Sequence, residues 1–278
     1  MSIKIVTDST CDLPATVVET YGITVVPVYV NTGAESHPDT ADLRQNFYQN
    51  LMNYETYPTT AAPASGTFAE VYDHLLRNGA SEILSIHLSA NLSATYNAAR
   101  LGAEAVDPNR IKLFDSRQIT IGTGWQVQAA AEAAFSGQSS SEIMALLENL
   151  RPRVRIFGML DNLESLRRSG RVNWAQFGIG TLLQIKPVLM IYDGQINVVA
   201  KVRTRKRSTQ HMVNLVKQLA PFERLAVLHV NAPEAALALA EEARTLLDDD
   251  LPVMEVGPAI GVHLGLGAIG FACVSRDI

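Results

Sequence analysis

The sequence predicts an α/β protein of two domains. The first has a mostly parallel sheet between helices, and the second is a mixed α/β domain with an antiparallel hairpin. At about 150 residues per domain, the 278 residues suit two domains. In the first half of the chain, short apolar runs alternate with helical patterns, which is typical of a parallel sheet covered by helices. Later, Asp193-Gly194 separates two strand patterns, and this dipeptide is the strongest short-range hairpin signal.

The composition excludes several classes of protein. Hydrophobic residues make up 47% of the chain and the net charge is −5, so disorder and a strong overall field for nucleic acid are both excluded. The two cysteines, Cys11 and Cys273, lie near opposite ends, which excludes a disulfide-rich fold. No signal-peptide pattern fits before Asp8, so we expect a cytoplasmic protein with reduced thiols.

We place the N-terminal domain at residues 1–150 and the C-terminal domain at residues 151–278. No clean linker separates the two, so we expect them to share a tight interface. The ligand site is expected at or near that interface.

Each predicted strand of the N-terminal domain is a short run of aliphatic and β-branched residues. These strands are predicted at Ile3–Thr7, Ile23–Val30, Ile83–Leu88 and Ile111–Phe114. Pro27 inside the second run favours an edge strand or a bulge. Capping residues and glycines bound the helices between them. These are predicted from Pro14 to Gly22, at Asp39–Tyr54, at Gly66–Asn78, from Ser93 to Val106, at Ile119–Phe135 and at Ser140–Leu150.

The C-terminal domain shows both helical and strand patterns. Strands are predicted at Pro187–Tyr192, Gln195–Thr204 and Leu225–Val230, and helices at Arg207–Leu219 and Pro233–Leu247. The antiparallel hairpin makes this sheet a mixed one.

The last apolar stretch, Gly257–Val274, is about long enough to raise the question of a membrane helix. It contains five glycines, Pro258 and His263, and no basic anchor precedes it. We therefore predict a buried loop followed by a core strand at Ala268–Val274, with no integral membrane segment.

Three polar turns follow predicted strands: Thr7–Thr10, Ser89–Ser93 and Asp115-Ser116. In open parallel sheets, ligands bind outside the carboxyl ends of the strands, and hydroxyls and N–H groups at helix starts bind anions. Ordinary helix capping explains each turn equally well. The turns are therefore candidate binding positions and no more.

Two basic clusters stand out. Four residues alternate along a predicted strand and would share one face, namely Lys201, Arg203, Arg205 and Arg207. The second cluster comprises Arg167, Arg168 and Arg171. An anionic partner and a solvated edge strand explain the alternating cluster equally well. A nucleic-acid-binding regulator is a third possibility, weakened by the acidic total and the lack of interleaved aromatic residues.

Cofactor, metal and nucleotide motifs are absent from the sequence. Gly265–Gly270 matches G-x-G-x-x-G, but only eight residues follow it, which is too few for a dinucleotide-binding unit. No P-loop, no paired histidine or cysteine metal motif and no G-x-S-x-G elbow occurs. We predict no cofactor and no metal. His263, alone in apolar surroundings, is either a core histidine or a hydrogen-bond donor to a buried anion.

Taken together and in this order, several motifs resemble the DegV family over essentially the whole chain. They are Thr7–Leu13 (TDSTCDL), Ser93–Tyr96 (SATY), Gly170-Arg171-Val172, Ile185-Lys186-Pro187, Asp193-Gly194 before Lys201-Val202-Arg203, and Gly257–His263 (GPAIGVH). Members of this family are bacterial fatty-acid-binding proteins that serve as the lipid-presenting component of fatty acid kinase.

The resemblance implies roles for five residues. Thr60 and Ser93 match the hydroxyl pair that holds the carboxylate of a long-chain, palmitate-like fatty acid, and His263 supports that pair. Arg171 and Arg203 match arginines near the carboxylate end and the kinase-facing surface. The kinase forms an acyl phosphate from the bound acid, so the resemblance implies a non-enzymatic partner with no catalytic residue.

Three alanines depart from the family pattern. Ala61 and Ala62 replace a serine and a glutamine of its T-S-Q-P loop, and Ala94 replaces a glycine. These changes bear on acyl-chain preference and on the partner surface. The combination of Ser, His and Arg also leaves a second function open, a phosphotransferase or acyl hydrolase that uses the same site.

Overall fold

Three β-sheets organise the chain in the computed structural model, which describes residues 2–161, 163–171, 185–246 and 251–276. The strands, in chain order, are β1 (Ile3–Asp8), β2 (Thr24–Val26), β3 (Tyr29–Thr32), β4 (Glu35–Pro38), β5 (Thr59–Ala61), β6 (Glu82–His87), β7 (Ile111–Asp115), β8 (Val154–Met159), β9 (Lys186–Tyr192), β10 (Gln195–Val202), β11 (Phe222–His229), β12 (Val253–Glu255) and β13 (Ile269–Ser275).

The pairing of these strands confirms the predicted fold class. A four-stranded sheet of order β2-β1-β6-β7 is parallel throughout. A six-stranded sheet of order β10-β9-β8-β13-β11-β12 is antiparallel except for its β11–β12 pair. A small antiparallel sheet of order β4-β3-β5 is formed by the chain between β2 and β6, two strands of the parallel sheet. The predicted Asp193-Gly194 hairpin joins β9 to β10.

Helices follow most strands of the first sheet, as the alternating pattern predicted. They are α1 (Ala15–Tyr21), α2 (Ala41–Asn50), α3 (Ser65–Arg77), α4 (Thr95–Val106), α5 (Thr120–Phe135), α6 (Ser140–Leu150), α7 (Glu164–Ser169), α8 (Arg205–Lys217), α9 (Pro233–Ala243) and α10 (Pro258–Leu264). Local chemistry sets their ends. Gly22 ends α1 at a φ of 60°, and Ser139 opens α6 in a reciprocal capping box with Glu142.

Both faces of the six-stranded sheet are buried, each in a different hydrophobic core. Along β8, Phe157 and Met159 belong to a core with α8 and α9, whereas Val154 and Ile156 belong to a core shared with the first half of the chain. The strands of the parallel sheet end by Asp115, and those of the six-stranded sheet begin at Val154. The domain boundary at residue 150 stays a prediction.

The single strand predicted at Ile23–Val30 was wrong, because Pro27 divides it. β2 pairs with β1, whereas β3 belongs to the small sheet. Pro27 has no N–H to donate, and the N–H of the following residue, Val28, donates to Ser9 Oγ at 3.0 Å instead of to a strand. The chain therefore leaves the parallel sheet at the proline.

The predicted basic strand face was also wrong. β10 ends at Val202, and Thr204 begins α8 by accepting the Arg207 N–H on its side chain at 3.4 Å. Arg205 and Arg207 therefore lie in the first turn of a helix, and Arg205 pairs with Asp161 at 2.6 Å. The threonine cap ends the alternation on which the prediction relied.

The first half of the apolar stretch Gly257–Val274 differs from the prediction, and the second half agrees with it. The expected buried loop is helix α10, which begins with Pro258 in its first turn and ends at Gly265, where φ is 81°. The expected core strand is confirmed as β13, an interior strand of the six-stranded sheet. Among the helices that the structure describes, none has the length and apolar character needed to cross a membrane.

Candidate functional site

The candidate site lies between the two halves of the chain, where α10 packs against the N-terminal half. One hydrophobic core holds Val28 and Phe47 together with Ile156 and Leu189, so both halves contribute to the walls. The main chain just before α10 is tied to the first half, since Tyr48 Oη donates to the Val256 carbonyl at 2.5 Å. Helix α10 is therefore fixed relative to both halves.

A buried charge network supports the start of α10. Arg44 donates to Asp12 at 2.8 Å and to Asp39 at 3.0 Å, and Asp12 also accepts the Gly257 N–H at 3.2 Å. Burial raises the pKa of Asp12 to about 7, although the Arg44 guanidinium opposes that shift. The network sets the position of the helix that carries His263.

His263 and Thr60 meet across 203 residues of sequence. Thr60 lies on β5 opposite Val30 of β3, and its Oγ1 is 2.9 Å from His263 Nε2. Both side chains are partly buried. Two residues that the resemblance alone had linked are therefore hydrogen-bonded partners.

His263 is neutral at physiological pH. Burial lowers the pKa of its imidazole to about 4, and the nearby Arg171 guanidinium lowers it further. A neutral imidazole carries one ring proton. When that proton is on Nε2, the ring donates to Thr60, and the threonine hydroxyl is free to donate to a third group.

The lowered pKa of His263 predicts a pH-dependent contribution to stability. Between about pH 6.5 and about pH 4 the unfolded chain binds a proton at His263 that the folded chain does not. The free energy of unfolding of the native protein, relative to that of His263→Gln, should therefore fall as the pH drops through this window. Urea denaturation from pH 7.5 to 3.5 measures it. The raised pKa of Asp12 affects both proteins alike and cancels, and a difference independent of pH would contradict the assignment.

An inner pocket of about 550 Å³ opens beside the Thr60–His263 pair. Its polar lining includes Thr60, Ser93, Arg171 and His263, and the rest of its wall is mostly apolar. Four of the five residues singled out by the resemblance are therefore brought together at one pocket.

A second pocket, which we call the tail pocket, continues the inner pocket into the apolar core. It has a volume of about 420 Å³, and Ile119 and Leu264 line both cavities. The surface of the tail pocket is almost entirely apolar, and strands of the six-stranded sheet contribute much of it, including Ile156 and Leu189. Together the two cavities offer a polar end and a long apolar end.

Paired glycines create the hollow of the tail pocket. Gly158 on β8 lies directly opposite Gly270 on β13, so neither strand contributes a side chain there. Ile156 and Leu160, two residues to either side of Gly158, both line the tail pocket, so Gly158 faces it as well. Glycine weakens a strand interior, and such positions often mark the close approach of a ligand or another backbone.

The remaining predicted residues differ in how the structure places them. Ser93 lies in the turn after β6, where its Oγ is 2.9 Å from Thr95 Oγ1. Arg203 is exposed between β10 and α8 and is not part of the inner pocket lining. Val172, the last residue of one family motif, lies outside the described residues. The structure therefore separates Arg203 from the polar end.

Thr10 is a pocket residue that sequence reasoning placed only in a general polar turn. It lines the inner pocket, but its Oγ1 already donates to Asp8 Oδ1 at 2.5 Å. Asp8 also binds His87 at 2.9 Å, and His87 Nε2 is 2.7 Å from Ser85 Oγ. This Ser–His–Asp series has no solvent exposure and lines neither the inner nor the tail pocket, so it supports the turn after β1.

Comparison with known proteins decides the family. The family model described as "Uncharacterised protein, DegV family" matches residues 2–276. The chain belongs to the DegV family. A DegV domain-containing protein of Listeria innocua is 34% identical over 277 residues and covers 96% of both chains. One of Streptomyces coelicolor is 34% identical over 279 residues and covers 99% of both chains.

Solved DegV structures share the whole fold. A DegV family protein from Thermus thermophilus, described for its fatty acid binding, superposes with a TM-score of 0.90 at 33% identity and covers 99% of this chain and all of its own. DegV of Bacillus subtilis, described as a fatty acid binding protein, gives a TM-score of 0.88 at 31% identity with the same coverage. The likeness spans both halves and the site between them.

Proposed function

We propose that this DegV protein binds a long-chain fatty acid between its two halves. The carboxylate lies at the polar end, among Thr60, Ser93 and His263, and the acyl chain runs into the tail pocket. The observation that carries the proposal is the pair of adjoining cavities, one with five polar side chains and the other almost purely apolar. Relatives at 31% and 33% identity that are described as fatty acid binding support the same ligand.

The chemistry of the polar end suits a carboxylate. A buried carboxylate is costly unless hydrogen bonds replace its hydration. In this arrangement the hydroxyls of Thr60 and Ser93 donate to it, His263 orients Thr60, and the Arg171 charge favours an anion. Each acyl methylene that enters the tail pocket contributes about 0.8 kcal/mol. The apolar chain thus supplies most of the affinity, and the polar end sets its direction.

We also propose that the protein presents the bound acid to a fatty acid kinase and does not itself carry out the chemistry. The family resemblance supports this role, and Arg203, exposed beyond β10, suits a partner-facing position.

A hydrolase or phosphotransferase remains the competing function because Thr60 and His263 have the spacing of a nucleophile and its base. Among the described residues, however, no carboxylate is bonded to His263 to orient it. Turnover of an acyl phosphate or ester by the isolated protein, lost in His263→Ala, would favour the enzyme.

Native mass spectrometry of the purified protein, followed by lipid extraction, tests the binding proposal directly. We expect a co-purified fatty acid, or uptake of one equivalent of palmitate by delipidated protein. A protein that carries no fatty acid and takes none up would refute the proposal.

Removing a hydroxyl at the polar end should weaken palmitate binding. Because hydrogen bonds to charged groups contribute about 1.5–3 kcal/mol, Ser93→Ala and Thr60→Val should each raise the palmitate Kd by at least about tenfold. Thr59→Val is the matched control, since Thr59 is exposed on the same strand and does not line the inner pocket. Fluorescent-lipid displacement measures the three constants. Unchanged Kd values for Ser93→Ala and Thr60→Val would remove these residues as carboxylate ligands.

A further inference from the structure

Thr120, the first residue of α5, lines the tail pocket close to its junction with the inner pocket. Ile119, the residue before it, lines both cavities, whereas Thr120 lines only the tail pocket of the two. An acyl chain that runs from the polar end into the tail pocket would therefore meet Thr120 along its length and not at its carboxylate.

The hydroxyl of Thr120 is buried without a hydrogen-bond partner. The residue is 1% exposed, and its Oγ1 has no partner among the described residues. In the same part of the chain, four other buried side chains have a polar atom without a partner: Thr7, Gln118, Gln126 and Ser275. None of these four lines the inner or the tail pocket. Because a buried, unpaired hydroxyl is costly, its place beside a ligand cavity is informative.

The backbone of Thr120 is held in an unfavourable conformation. Its φ is 48°, in the left-handed region that β-branched residues rarely adopt. Strained residues of this kind are concentrated at ligand-binding positions, where the surrounding structure maintains them. A position needed only for packing could be filled without the hydroxyl by valine, and without the strain by glycine.

His229 is the other polar side chain among the described residues that line the tail pocket. Its Nδ1 accepts the Ala232 N–H at 3.3 Å and lies 3.8 Å from a carboxylate oxygen of Glu255. These contacts tie the imidazole to the residues around the end of its own strand. Within the described lining, Thr120 is thus the residue whose polar side chain has no partner of its own.

We propose that the Thr120 hydroxyl binds a hydroxyl group near the middle of the acyl chain, so that the tail pocket accepts hydroxylated long-chain acids as well as saturated ones. This inference rests on the proposed fatty-acid function. Each alcohol can donate and accept, so either can be the donor in this pair. An apolar wall disfavours an alcohol, since burying a hydroxyl without a partner is costly. Thr120 offsets that cost at one depth of the pocket.

Hydroxystearates with the hydroxyl on carbon 8, 10 or 12 test this subsite against stearate. At least one isomer should bind the native protein with a Kd within about threefold of that of stearate. Thr120→Val removes the hydroxyl and keeps the branched shape. It should raise the Kd for that isomer at least about fivefold and leave the stearate Kd within about twofold. Thr120→Ser keeps the hydroxyl and should retain both native constants. Fluorescent-lipid displacement measures them.

Thr7→Val is the matched control. Thr7 is likewise a buried threonine whose Oγ1 has no partner among the described residues, but it lines neither cavity. Its replacement should change neither constant. Thermal unfolding of the three variants checks that the fold is intact.

The two kinds of lipid separate the possible failures. Stearate binding by a native protein that rejects every hydroxystearate, or whose isomer constants are unchanged by Thr120→Val, would overturn the subsite and leave the fatty-acid proposal standing. Equal losses for stearate and hydroxystearate in Thr120→Val would also overturn it, because Thr120 would then act through the shape of the pocket. A native protein that binds no stearate would overturn the proposed function and this inference together.

Discussion

Gly158→Leu is expected to raise the Kd for palmitate by about two orders of magnitude while leaving a short acid, such as decanoate, bound nearly as before. A leucine side chain fills the space of about four methylenes in the tail pocket. At about 0.8 kcal/mol per methylene, that displacement costs about 3 kcal/mol of binding free energy. A shorter chain ends before the blocked region. Fluorescent-lipid displacement with acids of 10 to 18 carbons measures the chain-length profile.

The position tolerates a side chain in the free protein. A Cβ built on Gly158 meets no atom within 4 Å, whereas one on the opposite Gly270 would lie 2.0 Å from the Phe157 carbonyl oxygen. Gly158→Ala should therefore fold normally and serves as the control of minimal volume. A leucine variant that keeps the native profile for every chain length would show that the acyl chain does not reach the hollow between the paired glycines.

Gly261→Ala is expected to destabilise the folded protein by about 2–4 kcal/mol. A Cβ at this position of α10 would lie 1.9 Å from Tyr48 Oη, inside the buried contact between the two halves. Moving the tyrosine breaks its hydrogen bond to the Val256 carbonyl and leaves buried polar groups without partners. Urea denaturation measures the loss. Gly66→Ala is the control, since a Cβ there meets nothing within 4 Å and alanine favours a helix.

A double variant identifies the contact responsible. In a Tyr48→Phe background the hydroxyl oxygen is gone, although the ring carbons that would lie 2.7 and 2.8 Å from the new Cβ remain. Gly261→Ala should therefore cost less stability in that background than in the native one. Strictly additive losses would mean that α10 is held by contacts other than Tyr48.

The family motifs were enough to find most of the polar end. Thr60, Ser93 and His263 are distant in sequence, and neither periodicity nor spacing links them. Only their match to a family pattern put them together, and the structure then brings all three to one pocket. The same route grouped Arg203 with Arg171, whereas the structure shows Arg203 exposed and outside that pocket.

Short or interrupted elements escaped the sequence reasoning. β5 has only three residues. β8 contains Arg155 and Gly158, and these two residues interrupt the apolar pattern expected of a central strand. Both matter to the site, because β5 carries Thr60 and β8 forms part of the tail pocket. Their pairing is decided by partner strands far along the chain, and local propensity contains no information about those partners.

The sequence by itself determined the fold class, the hairpin and the family, because alternating apolar patterns, turn residues and ordered motifs are local properties of the chain. Only the tertiary structure decided where the ligand space lies. The Gly158–Gly270 hollow and the Thr60–His263 bond each join residues from separate elements. Cavities arise from what neighbouring elements leave unfilled, and that depends on packing in three dimensions.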